Sequence, residues 1–177
     1  MATYLGFLRA INLGPTRKFP KADIVAATEA AGFSDVATHI NTGNVRFDTK
    51  MRSRAGIEDA LEAAYLADRG FEVPTMVFRA DELCAIADEA EEVADGHPGT
   101  HYVSLLKQKP TAALARQIEE FSTDRDIARV RGRAVHLVIA DPYHHAPLTN
   151  ATIEKELGVA TNRNLKVIRA IAEKWCR

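Results

Sequence analysis

Cysteine is scarce in this sequence, and that scarcity excludes two classes of small protein. Only Cys84 and Cys176 occur, and no Cys-x-x-Cys pair is present. A disulfide framework and a zinc–cysteine site are therefore excluded. We expect both thiols to be unpaired, which is typical of a reducing compartment and predicts a cytoplasmic protein.

Long apolar runs and a dominant charge are also lacking. No run of about eighteen apolar residues occurs, so no membrane span is expected. The apolar N-terminal stretch already contains Arg9 and Asn12, which favours a strand over a signal peptide. The net charge of −1 argues against a general nucleic-acid binder.

The charges that are present are unevenly distributed along the chain. Residues 1–50 contain six Lys or Arg and four Asp or Glu, whereas residues 51–99 contain four Lys or Arg and twelve Asp or Glu. Residues 100–177 contain thirteen Lys or Arg and eight Asp or Glu. The acidic middle block is explained by solvated helix faces. The two flanking segments still allow a local basic site.

Apolar periodicity and turn signals predict an alternating order of strands and helices in the first half. A strand over 3–11 is followed by a helix from about Pro20 to Ala31, which Gly32 ends. Asn41-Thr42-Gly43-Asn44 predicts a hairpin between strands at 36–40 and 45–48. A helix over 53–69 and a strand over 71–79 follow, and Pro74 places that strand at a sheet edge.

This β-α-β-β-α-β order is typical of a ferredoxin-like unit with strand order 4-1-3-2. A third helix, over 81–94, leads to a break at Gly96–Gly99, and a similar series of elements then begins. The second series consists of a strand over 101–107, a helix over 111–121 and strands over 127–130 and 134–140. It is predicted to end in helices over 148–157 and 162–175, without a fourth strand and with Thr161 capping the last helix.

The predicted fold class is therefore α+β, with two ferredoxin-like halves of which the second is diverged. The expected domains are residues 1–95, an N-terminal subdomain plus linking helix, and residues 100–177, a C-terminal subdomain with two terminal helices.

Three segments of the chain resemble one bacterial family. Residues 8–14, L-R-A-I-N-L-G, resemble the L-R-G-I-N-V-G opening of the domain-of-unknown-function 1697 family. Residues 38–47, T-H-I-N-T-G-N-V-R-F, resemble its T-Y-I-x-S-G-N-V-x-F segment. Residues 154–164 resemble its E-K-x-L-G … A-T-x-R-N-W segment. The resemblance covers the whole chain and implies the fold and a candidate surface, but no activity.

The chain departs from the family pattern at several positions of these segments. Ala10 stands where the family usually has glycine, and Pro15 replaces a second glycine. Thr42 replaces a serine, Ala146-Pro147 replaces a Ser-Lys pair, and Leu165 replaces a tryptophan.

The predicted topology brings two polar loops to one end of the first sheet. The first two strands run the same way, so the loop after the first strand should lie beside the hairpin after the second. We define the rim as this end of the sheet, with Arg17, Lys18 and Lys21 beside it. Its candidate ligand-binding residues are Arg9, Asn12, Gly14, Thr42, Gly43, Asn44 and Arg46.

Arginine side chains, free backbone N–H groups and the start of a helix suit a phosphate or carboxylate. The alternative is that the hairpin residues only make a turn and that the cations are solvated. Arg9 is informative because its strand is otherwise apolar, and its partner is either a carboxylate such as Asp48 or a ligand. Arg163 and Asn164 join the candidates if the last helix packs nearby, although Thr161-Asn162-Arg163-Asn164 is better explained as a helix start.

Other kinds of site find little support in the sequence. The histidines are explained by surface loops better than by a metal site, so no metal or cofactor is expected; they are His97, His101, His136, His144 and His145. No phosphate-loop motif, Gly-x-Ser-x-Gly elbow or activated cysteine occurs. An RNA-recognition domain would present aromatic side chains on its third strand, where Phe47 is expected to face the core instead.

The leading hypothesis is a small cytoplasmic binding or accessory protein that recognises an anionic small molecule. The first alternative is an enzyme acting on a phosphorylated or carboxylated small molecule, which Arg9, Asn44 and Arg46 would orient. A nucleic-acid-binding module is the second alternative. The substrate and the oligomeric state remain open at this point.

Overall fold

The structure of the protein is a computed structural model that describes residues 1–140 and 145–176. Its fold is α+β, with two four-stranded antiparallel sheets and helices. The chain divides into two compact units, Met1–Glu82 and Leu83–Arg177. The boundary lies before the Gly96–Gly99 break that the sequence suggested.

The N-terminal unit has the predicted order of elements. Its helices and strands are β1 (Ala2–Leu8), α1 (Lys21–Ala30), β2 (Ser34–His39), β3 (Asn44–Thr49), α2 (Arg54–Arg69) and β4 (Thr75–Arg79). The strand order is β2-β3-β1-β4, which is the 4-1-3-2 order expected from the sequence, and β4 is an edge strand. Pro74 lies just before β4 rather than within it.

Alternating side chains along the strands build the core of the N-terminal unit. Val45 and Phe47 of β3 are fully buried in a cluster with Ile24 of α1 and with Ile57 and Leu61 of α2. The period of two along a strand places Arg46 on the opposite face of the sheet. The buried position of Phe47 confirms that this side chain faces the core.

Two carboxylates of α2 satisfy the outer backbone groups of the edge strand β4. Glu62 accepts a hydrogen bond from the Thr75 N–H at 2.8 Å, and buried Glu58 accepts one from the Val77 N–H at 2.9 Å. An edge covered in this way is protected from pairing with another chain.

A long third helix predicted over 81–94 is divided in the structure. It consists of α3 (Ala80–Asp88) and α4 (Ala90–Ala94), and α3 crosses the boundary between the units. The remaining elements are β5 (Thr100–Leu106), α5 (Ala112–Glu119), β6 (Asp126–Arg131), β7 (Ala134–Ile139), α6 (Asn150–Leu157), β8 (Ala160–Asn164) and α7 (Leu165–Trp175).

The prediction that the second half lacks a fourth strand is wrong. Residues Ala160–Asn164 form β8, which pairs antiparallel with β5 and gives the order β6-β7-β5-β8. Helix α7 therefore begins at Leu165, and its cap is Asn164 rather than Thr161. The segment is short and polar, so its local sequence suggests a helix start, but pairing with β5 satisfies its backbone groups.

Candidate functional site

The two loops of the rim meet, as the strand directions require. The side-chain amide of Asn12 donates to the carbonyl oxygen of Asn41 at 2.9 Å. The backbone N–H of Leu8, at the end of β1, donates to the Gly43 carbonyl at 2.8 Å. These two bonds join the loop after β1 to the β2–β3 hairpin.

The amide side chains of the rim are used to hold the loops in place. Asn12 also donates to the Phe19 carbonyl at 3.0 Å and accepts from the Phe19 N–H at 2.9 Å. Asn44, which is 1% exposed, donates to the His39 carbonyl at 3.0 Å and to the Thr42 hydroxyl at 2.9 Å. Both amides thus make structural contacts within the rim itself.

Protein groups also engage two arginines of the N-terminal unit that the sequence offered as anion donors. Arg46 pairs with Asp35, and its second nitrogen lies 3.5 Å from Asp48. Arg17 donates to the Ala10 and Glu72 carbonyls, both at 2.6 Å. Asp48, which the sequence offered as a partner for Arg9, instead accompanies Arg46.

The remaining rim candidates are Arg9, Gly14 and Gly43. Arg9 is half-buried just after β1, and its N–H donates to the Pro74 carbonyl at 2.9 Å. Gly14 and Gly43 adopt left-handed φ values of 69° and 75°. Gly14 is exposed and Gly43 is buried against β1.

Arg163 and Asn164 lie in the C-terminal unit, on β8. Arg163 is 7% exposed and donates to the Thr161 hydroxyl and the Asn162 carbonyl, each at 2.8 Å. Burial lowers the pKa of its guanidinium to about 10. Asn164 caps α7 by accepting from the Lys166 N–H at 2.9 Å.

A cationic pocket lies at the opposite end of the N-terminal sheet from the rim. It measures about 530 Å³. We call it the basic pocket, and its lining residues are Met1, Ala2, Tyr4, Thr49, Lys50, Met51, Arg52 and Arg79. The pairs Ala2↔Thr49 and Tyr4↔Arg79 in the sheet register bring these residues together.

Lys50 and Arg52 of the basic pocket are more available to a ligand than Arg17 and Arg46, which protein groups engage. Within residues 1–140 and 145–176, the Lys50 and Arg52 side chains make no ion pair or hydrogen bond, and both residues are exposed. Arg79 is paired with Asp81 at 3.1 Å. The hydrogen bond from Arg79 to Asp81 and the charge of that carboxylate raise the pKa of the guanidinium, which stays protonated.

Sequence reasoning missed the basic pocket because its cations are far apart in the chain. The sequence feature that could have indicated the pocket is Lys50-Met51-Arg52, in the loop between a strand and a helix. Two cations in such a loop are common, so the feature is not specific. Arg79 joins them only through the pairing of β1 with both β3 and β4.

The histidines and cysteines hold no metal site in the described part of the chain. No group of three or more His, Cys, Asp or Glu side chains within it has metal-binding geometry. His144 lies outside the described residues. Neither Cys84 nor Cys176 forms a disulfide there, which confirms the prediction for these thiols.

Comparison with known proteins identifies the family of the chain. Residues 1–136 match the family described as "Protein of unknown function (DUF1697)". The chain belongs to the DUF1697 family. No curated protein matches it. The family match confirms the resemblance seen in the three sequence segments.

A solved structure shows that the fold of this DUF1697 member is shared. The conserved bacterial protein SP0830 from Streptococcus pneumoniae is similar with a TM-score of 0.78 and 16% sequence identity. The similarity covers 100% of this chain and 99% of that protein. In the described part of this family member, no helix combines the length and apolar character needed to cross a bilayer.

Proposed function

We propose that the protein binds a small molecule carrying a phosphate or carboxylate group in the basic pocket. The observation that carries the proposal is the presence of Lys50 and Arg52, without protein partners among the described residues, beside Arg79 in one pocket of about 530 Å³. Lysine and arginine are donors only, so they need an acceptor. The proposed activity is binding in the cytoplasm, as the sequence suggested, but at the other end of the sheet.

Three further lining residues indicate what else the ligand contains. Met1, Met51 and Tyr4 supply apolar surface beside the three cations. Tyr4 is 5% exposed and is held by stacking on Phe47, with ring centroids 6.2 Å apart. A ligand with an oxyanion and a small apolar body matches this lining better than a bare ion does.

The fold provides a rigid frame for this proposed site. We infer that both units are ferredoxin-like, and the same strand order in the two sheets supports this. The pocket residues lie at the ends of paired strands, or directly after them, so the ladder between β1, β3 and β4 holds their backbones.

Calorimetric titration of the full chain with phenyl phosphate, benzoate and inorganic phosphate tests the proposal. We expect phenyl phosphate or benzoate to bind more tightly than inorganic phosphate. Replacing Lys50→Met and Arg52→Met together should weaken binding by about tenfold or more, since a hydrogen bond to a charged group contributes about 1.5–3 kcal/mol.

The matched control is the double variant Lys18→Met and Lys21→Met, which removes the same charge from exposed residues beside the rim. Its affinity should stay within about twofold of wild type, because surface charges at a distance are screened by salt. An equal or larger loss in this control would move the site to the rim. An absence of binding to all three probes would refute the proposal.

A further inference from the structure

A second pocket, in the C-terminal unit, adjoins two buried histidines. It measures about 300 Å³ and is lined by Gly99, Thr100, His101, Asn164, Leu165, Lys166 and Arg169. Because β8 pairs with β5 and leads directly into α7, the first turn of α7 lies beside the beginning of β5. We call this the histidine pocket.

The two histidines contact each other inside the C-terminal unit. Nε2 of His101 on β5 lies 3.0 Å from Nδ1 of His136 on β7, and the ring planes are inclined by 70°. His136 is fully buried, whereas His101 is 8% exposed and lines the pocket. Burial lowers the pKa of His101 to about 4 and that of His136 to about 3, so both rings are neutral near pH 7.

The second nitrogen of each histidine ring takes no part in this contact. Nδ1 of His101 and Nε2 of His136 are buried and have no hydrogen-bond partner among residues 1–140 and 145–176. A neutral imidazole has one N–H and one lone-pair nitrogen. When His136 donates to Nε2 of His101, the proton of His101 must lie on Nδ1, where it is a buried donor without an acceptor.

The other groups around the pocket also favour a negatively charged occupant. Lys166 is exposed, and its side chain makes no ion pair within the described residues. Arg169 contacts Glu91 at 3.4 Å, but the two side chains are 49% and 86% exposed, so this pair is weak. Helix α7 adds the partial positive charge of its N-terminus.

We propose that the histidine pocket is an oxyanion site, in which the Nδ1–H of His101 and the side chain of Lys166 bind a phosphate or carboxylate group beside the N-terminal end of α7. The bound oxygen accepts the proton of His101 in a hydrogen bond and selects the tautomer in which His136 donates to His101. The site is independent of the basic pocket.

Long-range ¹H–¹⁵N NMR spectra of the full, ¹⁵N-labelled chain report the tautomer of each histidine directly. Inorganic phosphate and acetate are titrated separately at constant ionic strength, so that the two arms distinguish the two oxyanions. With at least one of them, we expect the Nδ1-protonated form of His101 to increase and the amide signals of Leu165 and Lys166 to shift with the same apparent affinity.

Variants separate this proposal from a general effect of anions. His101→Phe removes the donor and should abolish the saturable shifts at α7, whereas His101→Asn keeps an N–H near the position of Nδ1 and should retain part of them. Lys166→Met should weaken binding by about tenfold. Lys109→Met, which changes an exposed lysine elsewhere in this unit, should leave it unchanged.

Two outcomes would overturn the proposal: neither anion changes the His101 signals, or the α7 shifts persist unchanged in His101→Phe. The Lys50→Met/Arg52→Met variant should retain the response of His101 in full. The same set of spectra therefore distinguishes failure of the proposed binding in the histidine pocket from failure of the proposed binding in the basic pocket.

Discussion

The side-chain amide of Asn12 donates to the backbone carbonyl of Asn41 at 2.9 Å and so joins the loop after β1 to the β2–β3 hairpin. Asn12 also adopts a φ of 54°, a conformation that asparagine tolerates better than most residues. Asparagine at position 12 therefore both accommodates the left-handed backbone conformation and supplies the hydrogen bonds that join the two loops.

We expect Asn12→Ala to lower the free energy of unfolding by about 2–4 kcal/mol, because three hydrogen bonds are lost. Urea denaturation measures the change. Asn41→Ala is the control, since the structure uses the backbone carbonyl of Asn41 and leaves its side chain exposed. A similar loss in both variants would show that Asn12 does not act through its amide.

Ala10 adopts a φ of 54°, and the family pattern usually has glycine at this position. An alanine in the left-handed region is strained, and glycine relieves that strain at an entropic cost in the unfolded chain. We expect Ala10→Gly to raise the free energy of unfolding by about 0.5 kcal/mol. Ala26→Gly, at an exposed position within α1, should lower it by about 1 kcal/mol. Destabilisation by both variants would contradict the role assigned to Ala10.

Gly43 and Gly14 have similar φ values of 75° and 69°, but different surroundings. A Cβ atom on Gly43 would lie 2.7 Å from Cβ of Leu8, whereas none of the described atoms lies within 4 Å of one on Gly14. We expect Gly43→Ala to cost about 3 kcal/mol or more and Gly14→Ala about 1 kcal/mol. Thermal and urea unfolding of the two variants measure the difference, and equal losses would rule out a steric requirement at Gly43.

The buried histidine pair should make the protein less stable in acid. The folded pKa values of about 4 for His101 and about 3 for His136 lie below the ordinary value of 6.5. As the pH falls below 6.5, the unfolded chain binds protons that the folded chain does not, and stability decreases. For two such groups the loss is up to about 2.7 kcal/mol per pH unit, until the folded pKa values are reached.

Charges beside the pair act in the same direction as burial. The charge of Arg169 lowers the pKa of His101, and the charges of His101 and Arg131 lower the pKa of His136. The double variant His101→Leu/His136→Leu should therefore show a shallower fall in unfolding free energy between pH 6.5 and 4. His145→Leu, which changes an exposed histidine, should keep the wild-type slope. An unchanged slope in the double variant would contradict the assignment.

The sequence by itself determined the order of elements in the N-terminal unit and the meeting of the rim loops. Apolar periodicity marks the strands, the Asn41–Asn44 turn marks the hairpin, and strand directions then require the loop after β1 to lie beside that hairpin. These features depend on local signals and on chain connectivity. Pro74 likewise indicated an edge strand, although it was expected within the strand over 71–79 and β4 begins only after it, at Thr75.

Only the tertiary structure decided which polar groups remain available for a ligand. Arg46 resembles an anion donor in the sequence, but Asp35 and Asp48 engage it once β2 and β3 pair. Lys50 and Arg79 are brought to one pocket by their separate positions beside β1. The strand β8 and the contact of His101 with His136 arise in the same way. Pairing between distant segments satisfies backbone groups that local preference leaves unsatisfied, and it sets the side-chain neighbours that a linear pattern does not contain.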